Sequence, residues 1–407
     1  MKKYILVVFL LIFSTYFYAQ NFWVQTTITI STVTSMTIDL ENNIYFTQPL
    51  YGIYKSTDDG EHYFQLSTPS ARYPKCIKYL NNYLYASSEY GAFRSEDGGA
   101  NWTVINDGLN NSRPLCYCIN NEDKLFAGAI GGKIFYSTNR GDNWIDLSFN
   151  FPNYDINCIA VNSSNDVYVG TSDGGIYLLQ NNENSWVPMN NGLTSLSINV
   201  LLINSNGRIF AGTEGSGVYV STNNGDNWNE LNTGLISAFV RDLTIDEREI
   251  ILVATEKGVF KLENGVTFWD DINSGIDTNW ISIYSLAINS EGYLFAGSAR
   301  PFYKSTSPFT SIGYEFVLLR GGYFLSENYP NPFNPSTKIN FQLPNAGNVT
   351  LKVFDVLGRE VATLIDEYKN ADSYEVEFNA SNMPSGVYFY QLKAGEYIET
   401  KKMILIK

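Results

Sequence analysis

Along most of the chain, apolar and polar residues alternate in short runs with a period of two, the pattern of half-buried strands. Residues 200–212 (VLLINSNGRIFAG) and 285–297 (SLAINSEGYLFAG) each read as two such strands joined through Asn-Ser-x-Gly, a hairpin signal. A third alternating run then leads into a recurrent turn. It is found at residues 53–63 (IYKSTDDGEHY), 92–102 (AFRSEDGGANW), 134–144 (IFYSTNRGDNW) and 218–228 (VYVSTNNGDNW). Weaker copies end at Trp186 and Trp269, so the closing aromatics at 63, 102, 144, 186, 228 and 269 are spaced by 39, 42, 42, 42 and 41 residues.

Four short strands at this period predict the blades of a β-propeller. Seven strand sets can be counted, at about 35–66, 76–105, 115–147, 157–189, 199–231, 240–272 and 283–306. The seventh has no closing Trp, while Phe22-Trp23-Val24-Gln25 reads as an outer strand with no upstream partner. Residues 22–30 are therefore expected to complete the last blade and remove the exposed edges of an open array. The expected fold is all-β. A seven-bladed β-propeller covers 21–320, and a small Ig-like antiparallel β-sandwich covers 321–407, where alternating runs are divided by Gly, Pro and Asn turns. Ahead of both, Lys2 and Lys3 precede an apolar run from Tyr4 to Phe13, with Ala19-Gln20 as a cleavage point, the form of a secretory signal peptide over 1–20.

The recurrent turn has a local physical basis. Ser and Asp/Asn side chains bond turn backbone, Gly supplies a positive φ, and the aromatic packs under the hairpin. On this ground Ser56, Asp58, Gly60, Ser95, Asp97, Gly99, Trp102, Ser137, Asn139, Gly141, Trp144, Ser221, Asn223, Gly225 and Trp228 are structural, and they lack the acidic spacing of a calcium loop. The motif resembles the Asp-box, or bacterial neuraminidase repeat, of the sialidase-like superfamily over residues 22–306. The resemblance implies a hairpin between the third and fourth strands of each blade.

The C-terminal motifs are residues 325–337 (LSENYPNPFNPST, with Pro330, Asn331 and Pro332), 351–361 (LKVFDVLGREV, with Asp355, Gly358 and Arg359), 385–390 (SGVYFY, with Gly386 and Tyr388) and 402–407 (KMILIK). They closely resemble the type A C-terminal sorting domain of the type IX secretion system. The resemblance implies passage through the periplasm, export by the type IX machinery, and release from the cell or anchoring at its outer surface.

Composition narrows the chemistry. With one histidine in 407 residues, a Ser-His-Asp triad would have to use His62, which lies in a recurrent turn, and a multi-histidine zinc site is excluded. A net charge of −14 opposes nucleic acid. No phosphate loop, dinucleotide fingerprint or Cys/His metal spacing occurs, so neither cofactor nor metal is expected. Cys76, Cys116 and Cys158 fall at equivalent first-strand positions and, with Cys118, read as free thiols.

Two function classes remain. A propeller binds ligands over its central channel, on the loops between second and third strands and on those leading from one blade to the next. A glycoside hydrolase would use paired carboxylates there, with Asp155, Asp173, Glu214 and Glu256 as catalytic candidates. Arg72, Arg113, Arg241 and Arg300 are expected in these loops, without forming a sialidase signature. A non-catalytic module would bind extracellular glycan or protein through Tyr73, Tyr90, Tyr154, Trp280 and Arg300, with Tyr51 and Phe302 as further loop aromatics. The short loops favour the binding module, acting as a monomer.

Overall fold

The computed structural model describes residues 21–27, 32–67, 73–181, 185–278, 281–299, 301–309, 323–325, 328, 331–343, 345–395 and 397–406. The signal-peptide segment, the expected boundary at 320/321, and Arg72, Trp280, Arg300 and Pro330 lie outside the described residues. The chain divides into two compact units, Met1–Pro308 and Phe309–Lys407. Among the described residues every named element is a β-strand.

Among the described residues the first unit shows seven four-stranded antiparallel sheets. The first sheet takes Ser35–Ile38, Ile44–Gln48, Gly52–Ser56 and Phe64–Gln65 in that order, and the next five repeat the order as far as Asp270–Asp271. The seventh joins Ile283–Ile288, Leu294–Ser298 and Tyr303–Ser305 to the N-terminal strand Trp23–Gln25, with Trp23 opposite Ser305 and Gln25 opposite Tyr303. The first strands of successive sheets touch one another, and that of the seventh touches that of the first. This is a propeller-type arrangement.

Second strands such as Leu125–Ala129 and Ile209–Thr213 are buried along their whole length. Each lies inside its own sheet and between two neighbouring sheets. The apolar clusters accordingly draw on consecutive sheets: Tyr168 and Ile176 of the fourth pack with Ile198, Ile209 and Trp228 of the fifth. Among the described residues these clusters bridge neighbouring sheets, the defining energetics of a repeat protein.

Tryptophans tie the sheets together. The indole N–H of Trp144 donates to Ile105 O at 2.8 Å, Trp186 to Leu147 O at 2.9 Å, Trp228 to Met189 O at 2.8 Å and Trp269 to Leu231 O at 2.6 Å. Each acceptor directly follows, or closely follows, the outer strand of the preceding sheet. Trp23 makes the same bond to Ile272 O at 2.7 Å, and its backbone N–H reaches Ser274 O at 2.9 Å. The N-terminal strand is thus held as its counterparts are.

The second unit has a three-stranded sheet of Phe324–Leu325, Ser336–Leu343 and Asp372–Asn379. A four-stranded sheet has Glu360–Lys369, Gly347–Asp355, Gly386–Ala394 and Tyr397–Leu405 in spatial order. Ile339, Phe341, Leu351, Val353, Tyr390, Leu392 and Met403 form a common buried cluster.

Trp23→Phe keeps most of the ring but leaves Ile272 O without its donor, and should cost about 1–3 kcal/mol. Trp23→Ala also opens a cavity and should cost about 3–5 kcal/mol. Urea unfolding of the two variants checks both values, and an unchanged Trp23→Ala curve would show that the N-terminal strand does not hold the seventh sheet.

Candidate functional site

Antiparallel alternation gives the first unit two chemically distinct ends. One end collects the turns between second and third strands and the connections from sheet to sheet. The other collects the turns between first and second and between third and fourth strands.

The recurrent turns lie at the second end. Ser56 Oγ donates to Asp58 Oδ1 at 3.0 Å and accepts Gly60 N–H at 2.9 Å, while Asp58 Oδ1 also accepts His62 N–H at 2.8 Å. The turns at Ser95 and Asp97, at Ser137 and Asn139, and at Ser221 and Asn223 repeat this geometry. Backbone N–H groups of His62 and Asn101 hold the carboxyls of Asp58 and Asp97 below the usual carboxylate range. His62 is exposed, with Nδ1 2.7 Å from Asp58 Oδ2.

At the first end, an asparagine four residues beyond the closing Trp caps the inner turn of its own sheet. Asn190 Oδ1 accepts Ile176 N–H at 2.8 Å and its Nδ2 donates to Gly174 O at 3.0 Å. Asn232 does the same with Val218 N–H and Ser216 O. Two residues further on, Gly192 and Gly234 have φ of 94° and 96°, and an added Cβ would lie 2.2 Å from the carbonyl oxygen of the next sheet's Trp228 or Trp269. The sequence signal is Asn-x-Gly-Leu/Ile at 106–109, 190–193, 232–235 and 273–276, which the reading of the turns alone misses.

Of the four candidate carboxylates, the structure brings two together. Arg241, at an irregularity in the first strand of the sixth sheet, places Nη2 2.5 Å from Glu256 Oε1 and Nη1 3.6 Å from Glu214 Oε1. Its Nε is buried without a hydrogen-bond partner. Asp155 accepts Gly131 N–H at 2.8 Å, and Asp173 is exposed in its turn. Arg241 belongs to a strand rather than a loop.

The aromatic candidates also separate. Tyr73, Tyr90 and Tyr51 are exposed at this end. Tyr154 is half-buried, and its ring lies against Gly174. Phe302 is a correction: it is buried with its ring 5.9 Å from that of Phe46 and 6.2 Å from that of Phe295, so it is core. Leu50, Ile130, Leu196, Ile236 and Phe239 join the exposed set at the same end. Leu50 and Tyr73 have left-handed backbones, with φ of 76° and 59°.

Near the axis, first strands carry Lys78 in CIKYL and, beside Arg241, Asp242 in VRDLTI. Asp242 Oδ2 accepts Ser285 Oγ–H at 3.1 Å and Leu286 N–H at 2.9 Å from the seventh sheet. Burial raises its carboxyl above the ordinary range, opposed by the field of Lys78. All four cysteines are free thiols, and burial pushes Cys118 up to about 11 and Cys158 up to about 12.

Comparison with known proteins bears on both units. The family described as secretion system C-terminal sorting domain matches residues 327–407. No curated protein sequence matches the chain. The chain is similar in structure to YCF48 bound to D1 peptide, with 16% identity, TM-score 0.57, and coverage of 71% of this chain and 98% of that one. It is similar to PorZ, an essential surface component of the type IX secretion system of Porphyromonas gingivalis, with 16% identity, TM-score 0.52, and coverage of 91% and 59%. It is also similar to the extracellular domain of BT3049 from B. thetaiotaomicron, with 14% identity, TM-score 0.60, and coverage of 95% and 58%. The chain thus spans less than two thirds of the latter two. These likenesses establish a propeller-type fold, and the sorting domain marks the protein for export to the cell surface or the extracellular space.

A carboxyl raised on folding takes up a proton between its unfolded value of about 4 and its higher folded value. The folded state is therefore disfavoured progressively as pH rises through that window. Asp242→Asn abolishes the titration, so its unfolding free energy minus that of the parent should increase with pH above about 4. Thermal or urea unfolding across this range measures the slope, and a flat difference would refute a raised Asp242.

Proposed function

We propose that this protein is an exported binding module: a signal peptide over 1–20, a seven-bladed β-propeller with Asp-box turns over 21–320, and an Ig-like type IX sorting domain over 321–407. The seven sheets and the mutual contact of their first strands support the blade count. The serine-centred turns support the Asp-box assignment.

The reading of function rests on the exposed apolar residues at the first end. Leu50 and Tyr73 there combine solvent exposure with a left-handed backbone, which a bulky L-residue adopts at a cost of about 1–2 kcal/mol. Neither residue gains that back by burial. Asn or Gly would satisfy the turn, so the side chains themselves are the useful part. With Tyr51 and Tyr90, they place large exposed apolar groups on the short loops of the first two adjacent sheets, suited to an extended peptide or protein segment. That YCF48 is seen with a peptide on a similar fold supports this choice over a glycan at this end. Glu214 and Glu256 are engaged by one guanidinium, which favours a positioning role over paired acid/base work.

Leu50→Asn and Tyr73→Asn should each raise stability by about 1 kcal/mol while weakening peptide retention about tenfold. The mature chain and both variants, tested on immobilised extended peptides and on polysaccharides, give the result. Polysaccharide retention lost in the variants, with no peptide retained by any form, would reassign the face. Deletion of residues 325–407 should leave the protein in the periplasm, read by cell fractionation, and its appearance in the medium would refute the sorting role.

A further inference from the structure

The opposite end of the first unit holds a groove of about 610 Å³ that the preceding reading does not use. It is lined by Tyr79, Tyr83 and Tyr85 and by the polar groups of Asn81, Asp123 and Arg140. Its volume is in the range of small-ligand sites.

Arg140 is the unusual member. It occupies the left-handed position of a recurrent turn, with φ of 60°. The equivalent positions hold Asp59, Gly98 and Asn224, at 57°, 66° and 55°. Aspartate, glycine and asparagine tolerate that conformation, and arginine has no comparable local compensation. The turn therefore does not call for arginine. Its guanidinium lies 5.0 Å from the centroid of the Tyr83 ring and has no ion-pair partner among the described residues, in a chain with 41 acidic side chains. The backbone beneath it is fixed: Arg94 Nη1 donates to Arg140 O at 2.8 Å and to Asp142 Oδ1 at 2.8 Å, and the Tyr85 hydroxyl reaches the same carbonyl at 3.5 Å. In the same groove, Asn81 Nδ2 donates to Asp123 Oδ1, which places an amide and a carboxylate side by side.

We propose that this groove binds a sugar chain bearing carboxylate groups. The unpaired guanidinium receives one carboxylate in its planar fork. Tyr85 is buried and the Tyr83 ring carries the guanidiniums of Arg140 and Arg94, at 5.0 and 5.7 Å, so the half-buried Tyr79 is the ring that offers apolar surface to a pyranose. Asn81 and Asp123 offer neighbouring donors and acceptors to vicinal hydroxyls. A single cation suits one carboxylate per subsite rather than a polyphosphate. The site is independent of the apolar face at the other end.

The test uses the mature chain against a panel of uronate oligosaccharides and the same oligosaccharides with their carboxyls reduced to alcohols, by isothermal titration calorimetry. The uronate form should bind about tenfold more tightly than the reduced form. Arg140→Asn relieves the left-handed backbone, so it should not lower the melting temperature and should abolish that preference. Tyr79→Leu should weaken both forms. No binding across the panel, equal binding of the two forms, or a preference that survives Arg140→Asn would overturn the proposal. Displacement of a bound uronate by a polyglutamate peptide of equal affinity would also overturn it, in favour of an acidic protein segment.

Discussion

The first unit depends on the bond from a tryptophan indole N–H to a carbonyl of the preceding sheet. Seven sheets whose apolar clusters bridge neighbours must be held at a fixed spacing and rotation, and apolar contact alone specifies neither. Trp144, Trp228, Trp269 and Trp23 meet both needs, since each also donates its backbone N–H to a residue two positions beyond the indole's acceptor. Two bonds from one residue fix distance and angle together. The Asn-x-Gly segments that supply these acceptors also cap the inner turn of their own sheet through the asparagine. One short segment thereby couples the outer edge of one sheet, its inner turn and the next sheet.

The tie is weakest where the first sheet joins its neighbours. Tyr63 has no indole, and Trp102 turns its N–H to Gly99 O in its own turn. There the axis takes over. Ser35 Oγ accepts Ile77 N–H at 3.1 Å and Thr37 Oγ1 accepts Tyr79 N–H at 3.0 Å, while Phe46, Tyr54 and Tyr63 stack within the first sheet. Stability is thus spread over many equivalent contacts, which suits an exported chain without disulfides. The thiols that could react are held from doing so, because burial raises Cys118 to about 11 and Cys158 to about 12 and keeps the reactive thiolate scarce.

Much of this was legible in the sequence because the physics is local. Alternation locates strands, and Asn-Ser-x-Gly and Ser-x-Asp/Asn-x-Gly locate turns. The unpartnered Phe22-Trp23 pointed to the strand that joins Tyr303–Ser305. What was not legible depends on register between sheets. The candidate carboxylates could be assigned to loops, but that Glu214 and Glu256 share Arg241 follows from an irregularity after Val240 that alternation does not reveal. Phe302 looked like a loop aromatic because it directly follows Pro301, and only the stacking of the seventh sheet on the first buries it. The Asn-x-Gly-Leu/Ile signal was present four times, but its role is to meet a tryptophan of the next sheet, some 35 residues on in three copies and Trp23 at the start of the unit in the fourth, beyond the reach of turn chemistry.

A repeat protein carries its own controls, and this gives its irregularities their meaning. Where several copies solve the same local problem with Asp, Gly or Asn, a copy that uses Arg140 has accepted a strained backbone for a side chain the turn does not need. The same reasoning applies to Lys78 and Asp242, charged residues in first strands where most sheets have none, and to Leu50 and Tyr73, whose bulk is neither buried nor conformationally favoured. Asp242 is explained within the fold, since it bonds Ser285 and Leu286 across a sheet boundary. Arg140, Leu50 and Tyr73 are not, because their side chains contribute nothing comparable to the packing that holds the sheets. Departures from the repeat that the scaffold does not use fall at the two open ends of the unit, where a ligand can reach them, and that distribution separates recognition from support in this fold.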